Sequence, residues 1–528
     1  MKRDAYDLVT STDSTEAQRA FENAVFAIAA HRPNAGTALQ ATLVADPDHV
    51  AGHALKGFAN LILARSELST AATSALRDAR AALISRHGGT QDERVLVAAL
   101  DAAVSGHFAK AADVLDIGFS DHPATFLPFK LAHALRFMIG DAAGMLAAST
   151  LAVRRLGVGT NAAGFILGCH AFSLEEHGRY AEALEAGQRA VALQPDDSWG
   201  LHAVSHVFEM RGDTQQGIDW LEGSRRAWSR CNNFSFHMAW HLGLLHLERG
   251  DYERVLELYD DEVRPQQTDD FRDMANAISL LWRLEQSGIH VGDRWSDVAE
   301  IAYRRRSDTT LIFAALHNLA AMVAVGDREG VAELVAQIDA KALGMDDQAN
   351  IAAEIGVPMA RVLAGLDAPA DQRMIDRMVA NLPKIGGSNA QRDFFVLALA
   401  KAVGAGGDNA AVSRIGQIRQ RLQAVGLSAT RQRRKIAMSM IEMHKTSIFP
   451  EIQPGLARTI VLSGLAADIT WEIWARLITP LWVGGPLEPA ALVQSVFGFN
   501  NLLLAEAIHA LVGIVFYPIG YLFIARPL

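Results

Sequence analysis

Residues 177–197 read HGRYAEALEAGQRAVALQPDD. The stretch has the pattern of a helix bounded by Gly178 on one side and Pro195 on the other. Gly178 follows one helical stretch and precedes the next, and a glycine in this place is typical of a left-handed helix C-cap. Pro195 lies where the second helix would stop, because proline cannot continue a helix. Ala183 and Leu184 are small and apolar residues that suit close helix packing. The stretch therefore predicts a helix–turn–helix unit.

The same pattern recurs along most of the chain. Successive turn glycines are 34 to 39 residues apart, and 34 residues is the period of the tetratricopeptide helix–turn–helix repeat. The turn glycines are Gly106, Gly140, Gly178, Gly212, Gly250, Gly288, Gly326 and Gly365. The prolines that would end second helices are Pro47, Pro123, Pro195 and Pro265. We predict an all-α chain in which about nine or ten units, between residues 15 and 425, stack into a tetratricopeptide-like, right-handed α-solenoid with a concave surface.

Composition narrows the classes of protein that fit. Of 528 residues, 50% are hydrophobic and 20% are charged, which excludes a mainly disordered chain. The net charge of −10 argues against a nucleic-acid partner, since such proteins carry a basic surplus. Cys169 and Cys231 are the only cysteines, so a disulfide scaffold and a Cys-rich zinc module are excluded.

The composition changes after the repeats. We predict the solenoid over residues 1–428, a basic, amphipathic linker over 429–457 and a hydrophobic two-helix hairpin over 458–528. The hairpin contains two apolar stretches, residues 459–482 and 502–524, each long enough to cross a hydrocarbon core about 30 Å thick. The basic residues that flank these stretches would place the solenoid at the cytoplasmic face of a membrane. The alternative is a cytoplasmic protein in which a buried hairpin caps the solenoid.

Charged residues in the tail favour the buried, capping hairpin, and they also allow a polar site between its two helices. Asp468, Glu472 and Arg476 have four-residue spacing, so they share one helix face and can pair. Glu506 and His509 share a face of the second helix and could meet them within the hairpin. Charges inside a membrane span are costly, so this set either forms an intramembrane polar site or favours the buried, capping alternative.

Histidines concentrate in the first helices of the units. His241 and His317 each lie nine residues before their turn glycine, so stacking would align them along the concave groove. The motifs HAVSH and HMAWH each place two imidazoles on one helix face. The candidate groove and ligand residues are His170, Glu175, His202, His206, Glu209, His237, His241 and His317.

Imidazoles and carboxylates on adjacent helices suit a zinc or non-haem iron site. The candidate metal ligands are His202, His206, His237 and His241. Two other interpretations stay open: histidines that act as general acids and bases on a small ligand, and core histidines that only bond to neighbouring carbonyl groups. The sequence contains no HExxH motif, so no general base is identified and the catalytic residues are unknown.

Three runs carry a resemblance to a known family. They are GCHAFSLEEHGRYAEALEAG at 168–187, WGLHAVSHVFEMRGDTQQGIDWLE at 199–222 and HMAWHLGLLHLERGDYERVLELYDDEV at 237–263. Together with HALKGFANLILA and LHNLAAMVAVGD, they make residues from about 5 to about 400 resemble the tetratricopeptide repeat protein 38 family, also called StaR-like. The hydrophobic tail is not part of the resemblance.

The resemblance implies an α-solenoid, and it implies a flavin as a further candidate cofactor, because one antibiotic-pathway member has been suggested to be a flavin-using hydroxylase. The family's histidine-rich motifs fall on the eight candidate groove residues named above. The family's usual HNWWH reads HMAWH here, with Met238 and Ala239 in place of Asn and Trp, so a ligand that touches those side chains would differ.

The leading functional prediction is an interaction or scaffold protein. It would bind a protein, a peptide or a small molecule in its concave groove, at the cytoplasmic face of a membrane, with residues 458–528 as anchor. The alternative is a metal- or flavin-dependent enzyme, an oxidoreductase or hydroxylase, that uses the histidine-rich groove with zinc, iron or flavin.

Overall fold

The computed structural model describes most of the first 405 residues and a short segment near the end of the chain. Its described residues are 2–156, 160–366, 372–405, 415, 494 and 501–511. The chain divides into two compact units, residues 1–434 and residues 435–528, and each is described by itself.

The first unit is built almost entirely of α-helices, which confirms the predicted all-α class. Its first helices are α1 Thr15–Ala29, α2 Ala35–Ala45, α3 Val50–Ile62, α4 Ser66–Ser85, α5 Gln91–Val104, α6 Phe108–Gly118, α7 Phe126–Met138, α8 Ala142–Arg154, α9 Ala163–Glu176, α10 Tyr180–Leu193, α11 Ser198–Arg211 and α12 Thr214–Gly223. They are followed by α13 Arg225–Trp228, α14 Phe234–Arg249, α15 Tyr252–Leu258, α16 Phe271–Gln286, α17 Trp295–Arg304, α18 Ile312–Ala324, α19 Arg328–Lys341, α20 Asp347–Ile351, α21 Val357–Leu363, α22 Gln372–Asn381 and α23 Asn389–Ala405.

Short irregular elements complete the unit. Two π-helical turns, Tyr259–Val263 and Ala352–Gly356, continue α15 and α20, and two 3-10 turns span Gly292–Arg294 and Leu382–Ile385. The strands β1 Lys2–Arg3 and β2 Val9–Thr10 pair antiparallel, with Lys2 opposite Thr10 and Arg3 opposite Val9.

The turn glycines do what the sequence predicts. All eight have positive φ, between 68° and 81°, a backbone conformation that glycine adopts without a steric penalty. In the first two hairpins the same turn position is taken by His31 and Ala64, with φ of 52° and 49°. The residues that the structure describes therefore contain ten consecutive hairpins followed by α23.

The hairpins stack as an α-solenoid. First helices pack against their own second helices and, in several hairpins, against the first helix of the next hairpin, as α9 does with α10 and α11 and as α16 does with α18. Large side chains fill the space between them, among them the fully buried Trp228, Trp240 and Phe172. The predicted α-solenoid is confirmed at this level.

Early hairpins also contact late ones. Arg65 forms an ion pair with Asp269 at 2.6 Å, and Arg305 forms one with Glu67 at 2.9 Å. The amide of Asn232 donates to the carbonyl oxygen of His31 at 2.7 Å. Farther along, the amide of Asp347 donates to the carbonyl oxygen of Gly106 at 3.1 Å. Most of the candidate histidines, which the sequence predicts along an open groove, are instead buried.

The second unit is described only at residue 494 and over residues 501–511, where α24 spans Leu502–Leu511. Glu506 and His509 lie on α24. The predicted partners Asp468, Glu472 and Arg476, the linker 429–457 and most of the hairpin 458–528 lie outside the described residues. Among the helices that are described, none combines the length and the apolar character that a membrane span requires.

Candidate metal centre

The helices α11 and α14 bring four predicted histidines together. These helices are the first helices of successive hairpins. His202 and His206 lie one turn apart on α11, and His237 and His241 lie one turn apart on α14. Because residues four apart share a helix face, each helix presents a pair of imidazoles to the other. All four side chains are buried, and His237 is the most exposed at 9%.

The four Nε2 atoms converge on a common point. His202 Nε2 lies 2.8 Å from His206 Nε2, 2.9 Å from His237 Nε2 and 3.0 Å from His241 Nε2. His237 Nε2 and His241 Nε2 are 3.2 Å apart. In a tetrahedral zinc site with Zn–N distances of about 2.0–2.1 Å, neighbouring nitrogens lie about 3.3–3.4 Å apart. The spacing is therefore close to that of a four-nitrogen ligand set.

Carboxylates lie behind two of the rings. Glu209 Oε2 is 2.8 Å from His241 Nδ1, and Glu175 Oε2 is 3.4 Å from His206 Nδ1. A carboxylate can only accept a hydrogen bond, so it favours the proton on Nδ1 and leaves the Nε2 lone pair free. Metal-bound histidines commonly have such partners, which fix the tautomer and the orientation of the ring.

The other two rings differ in this respect. Asn276 Oδ1 on α16 lies 2.9 Å from His237 Nδ1, which gives that ring an uncharged partner. His202 Nδ1 has no hydrogen-bond partner among the residues that the structure describes. Hydrogen bonds from neighbouring helices thus orient two of the four rings, those of His237 and His241, while Glu175 lies only within ion-pairing distance of His206.

The electrostatics keep most of the cluster uncharged. Burial lowers the pKa of His202, His237 and His241 well below the ordinary value for histidine, and neighbouring histidines lower it further. Burial raises the pKa of Glu175 to about 7, and the Glu175 carboxylate raises the pKa of His206 although burial opposes this. Neutral imidazoles are the form that binds metal ions.

A cation at the convergence point would remove an electrostatic conflict. Nε2 lone pairs directed at one another from a distance of about 3 Å repel, unless a proton or a metal ion lies between them. Glu175 and Glu209 together carry two negative charges when ionised. They match the charge of one divalent ion held by neutral ligands.

The remaining predicted residues lie elsewhere. His170 Nδ1 is 3.0 Å from Ser149 Oγ. His317 Nδ1 donates to the carbonyl oxygen of Phe313 at 2.8 Å, and its ring packs against Phe394 and Phe395. The predicted row of histidines is therefore divided into a four-histidine centre and separate packing histidines.

A neighbouring acidic group does not extend the centre. Glu175, Glu176 and His206 lie close enough to share an ion. However, Glu176 pairs with Arg392 at 2.6 Å and accepts from the amide of Asn389 at 2.7 Å. These contacts of Glu176 join α9 to α23, so its carboxylate already has partners.

Sequence reasoning missed Asn276. It is one of two polar residues, with Ser279, in the mainly apolar run MANAISLLW, and that contrast is the available signal. Its contact with His237 depends on the packing of α16 against α14, which no spacing in the sequence specifies.

A comparison of the chain with models of known protein families finds none that matches. The resemblance to the tetratricopeptide repeat protein 38 family thus stays a prediction.

Proposed function

We propose that this protein binds one divalent transition-metal ion, zinc by its geometry, through Nε2 of His202, His206, His237 and His241. The observation that carries the proposal is the convergence of these four atoms: four of their six mutual distances are 2.8–3.2 Å, and one ligand atom from each residue lies within 4.8 Å of the other three. Zinc accepts four-coordinate tetrahedral sites and imidazole ligands, whereas Cu²⁺ prefers a tetragonal arrangement.

The proposed ion has a structural role. Four protein ligands complete a tetrahedral zinc site, while catalytic zinc sites usually keep one position for water or substrate. The ligands come in pairs from α11 and α14, so one ion joins two successive hairpins. A metal with four protein ligands therefore favours a metal-stabilised solenoid over the predicted metal-dependent hydroxylase.

The rest of the predicted function remains a proposal. A tetratricopeptide-like, right-handed solenoid that acts as an interaction scaffold is supported by the hairpin repeat, since such arrays present extended surfaces to partners. Anchoring through residues 458–528, at the cytoplasmic face of a membrane, and a flavin cofactor also stay predictions.

Metal content and coordination test the zinc proposal. We expect the full-length protein, purified with zinc and freed of loose ions, to contain about one zinc per chain, with an X-ray absorption spectrum of four nitrogens at about 2.0 Å. His206→Ala and His241→Ala should lose that zinc, while His170→Ala and His317→Ala should keep it. Circular dichroism on each variant separates loss of metal from loss of fold.

Two results would overturn the proposal. One is a folded parent protein that takes up no zinc from solution. The other is a zinc content that the His206→Ala and His241→Ala variants retain in full, because the ion would then be bound elsewhere.

A further inference from the structure

The turn of the first hairpin docks on the two helices that carry the metal centre. This turn, which includes residues 30–32, connects α1 to α2, and its His31 has a φ of 52°. The His31 ring stacks on Phe234, the first residue of α14, at 4.1 Å between ring centroids. It also lies 5.9 Å from the ring of Trp199, in the first turn of α11. Lys130 on α7 contacts the same tryptophan ring, with Nζ 4.6 Å from its centroid. The His31 side chain therefore contacts both helices of the metal centre.

Polar contacts hold the same turn to the segments that lead into α11 and α14. The amide of Asn232 donates to the carbonyl oxygen of His31 at 2.7 Å. Arg32 forms an ion pair with Asp196, and Asp196 also pairs with Arg230 at 3.1 Å. Asp196 precedes α11, while Arg230 and Asn232 precede α14. The backbone and the side chains of the turn are thus fixed at the starts of both helices.

The docking rings and the metal ligands share faces of α11 and α14. Trp199 lies three residues before His202, so the two side chains lie on one face of α11. The same spacing relates Phe234 to His237 on α14. The ring centroid of His202 is 4.9 Å from that of Trp199 and 5.2 Å from that of Phe234. A change in the distance between the helices would therefore move the metal ligands and the docking rings together.

A bound metal ion would set the distance between the two helices. It would tie two ligands from each helix to one point. The Nε2 atoms of His202, His237 and His241 face one another at 2.9–3.2 Å, and their lone pairs repel when no ion lies between them. Loss of the ion would therefore separate the helices. The gap between Trp199 and Phe234, whose ring centroids are 5.8 Å apart, would widen with them.

We propose that metal binding at the four-histidine centre controls a latch, formed by residues 30–32 and the rings of Trp199 and Phe234. The latch rests on the proposed zinc site and adds a regulatory role to the structural one. With metal bound, the turn of the first hairpin stays docked on α11 and α14; without metal, the turn is released and the two aromatic rings become exposed. Because the docked turn and the ion stabilise the same arrangement of helices, each raises the affinity of the other.

Hydrogen exchange of the full-length protein, with zinc and after its removal by a chelator, tests the latch. The amide of Asn232, which bonds to the carbonyl oxygen of His31, reports on the docked turn. We expect removal of zinc to speed its exchange at least about fivefold. The amide of Asp347, which donates to Gly106 between two other hairpins, is the internal control and should exchange at the same rate in both forms.

Zinc affinity tests the same coupling from the other direction. His31→Ala removes the docking ring and leaves all four metal ligands in place, so zinc should bind at least about fivefold more weakly, measured by competition with a chromophoric chelator. His87→Ala is the matched control, because His87 has a similar positive φ of 53° and is exposed in the turn after α4. The zinc affinity of this control should equal that of the parent. Circular dichroism on both variants separates loss of docking from loss of fold.

The outcomes distinguish the latch from the zinc site. A protein that binds zinc through the four histidines, but whose Asn232 amide exchanges equally with and without the ion, would refute the latch and leave the zinc site standing. Equal zinc affinities of His31→Ala and the parent would do the same. A folded parent that takes up no zinc would refute the zinc site and the latch together.

Discussion

His241 and His317 occupy the same place in two hairpins, but their surroundings have opposite chemical character. Each lies nine residues before its turn glycine, on a first helix, and each is buried. His241 has a carboxylate oxygen of Glu209 at 2.8 Å from Nδ1 and the Nε2 atom of His202 at 3.0 Å from its own Nε2. Both ring nitrogens therefore face groups from another helix.

His317 has the environment of a packing residue. Its Nδ1 bonds to the carbonyl oxygen of Phe313 in its own helix, and its ring lies 5.1 Å from Phe394 and 4.9 Å from Phe395. The residue that corresponds to Glu209 in the preceding hairpin is Glu285, three residues before Gly288. Its carboxylate instead accepts from Trp295 Nε1 at 3.0 Å.

A repeat position therefore fixes where a histidine lies but not what it does. Both histidines are buried on first helices because the repeat places them there. Their chemistry is decided by the side chains of the neighbouring helices, which are polar beside His241 and aromatic beside His317.

Removal of the metal should have the largest effect on the free energy of unfolding, and only in proteins that keep His241. An ion present at about a thousand times its dissociation constant stabilises the protein that binds it by about 4 kcal/mol. We expect a chelator to lower the free energy of unfolding of the parent and of His317→Ala by about this amount, measured by urea denaturation. His241→Ala should not respond, and a full response from that variant would contradict the assignment of the ligands.

Substitution of Glu209 and of the corresponding Glu285 should have different effects on zinc affinity. Glu209→Gln removes a charged partner that orients His241, and loss of such a partner typically lowers metal affinity by about 10–100-fold. Glu285→Gln changes a carboxylate that bonds to Trp295, so the zinc affinity should stay at the parent value. Competition with a chromophoric chelator measures both affinities. A similar loss in the two variants would indicate a general effect of charge.

Acid should reveal the cost of burying His317. Burial lowers the pKa of His317 to about 4, whereas an unfolded histidine has a pKa of about 6.5. At pH near 5 the unfolded chain binds a proton at this residue and the folded chain does not, so acidification favours unfolding. Between pH 7 and pH 5 this contribution is about 2 kcal/mol.

His317→Phe should therefore lose about 2 kcal/mol less stability than the parent over the same pH range, measured by urea denaturation at both pH values. Phenylalanine suits a site formed by Phe313, Phe394 and Phe395. The exposed His122→Phe serves as the control. An identical pH dependence in the parent and His317→Phe would show that this residue is protonated in the folded state.

Much of the fold follows from local sequence. Gly178 and the other turn glycines were predictable because positive φ penalises every residue that has a side chain. His31 and Ala64 adopt the same conformation without that signal, so the first two hairpins were harder to place. The two π-helical turns also had no signal in the sequence.

The candidate centre was predictable only in part. Four-residue spacing placed His202 with His206 and His237 with His241 on common helix faces. This part was predictable because it depends on the geometry of a single helix. The convergence of the two pairs, and the contact of Asn276 with His237, require particular distances between helices. Sequence reasoning also grouped His317 and His170 with the centre, because an aligned repeat cannot distinguish a polar neighbour from an aromatic one.

The sequence by itself determined the helical class, the repeating hairpin and the helix face on which each histidine lies, because these depend on interactions among residues close together in the chain. The meeting of four histidines and the place of Lys130 over Trp199 depend instead on tertiary packing. Such contacts join residues from different hairpins. The distances between these residues depend on the relative positions of several packed helices. No local pattern of residues encodes those positions.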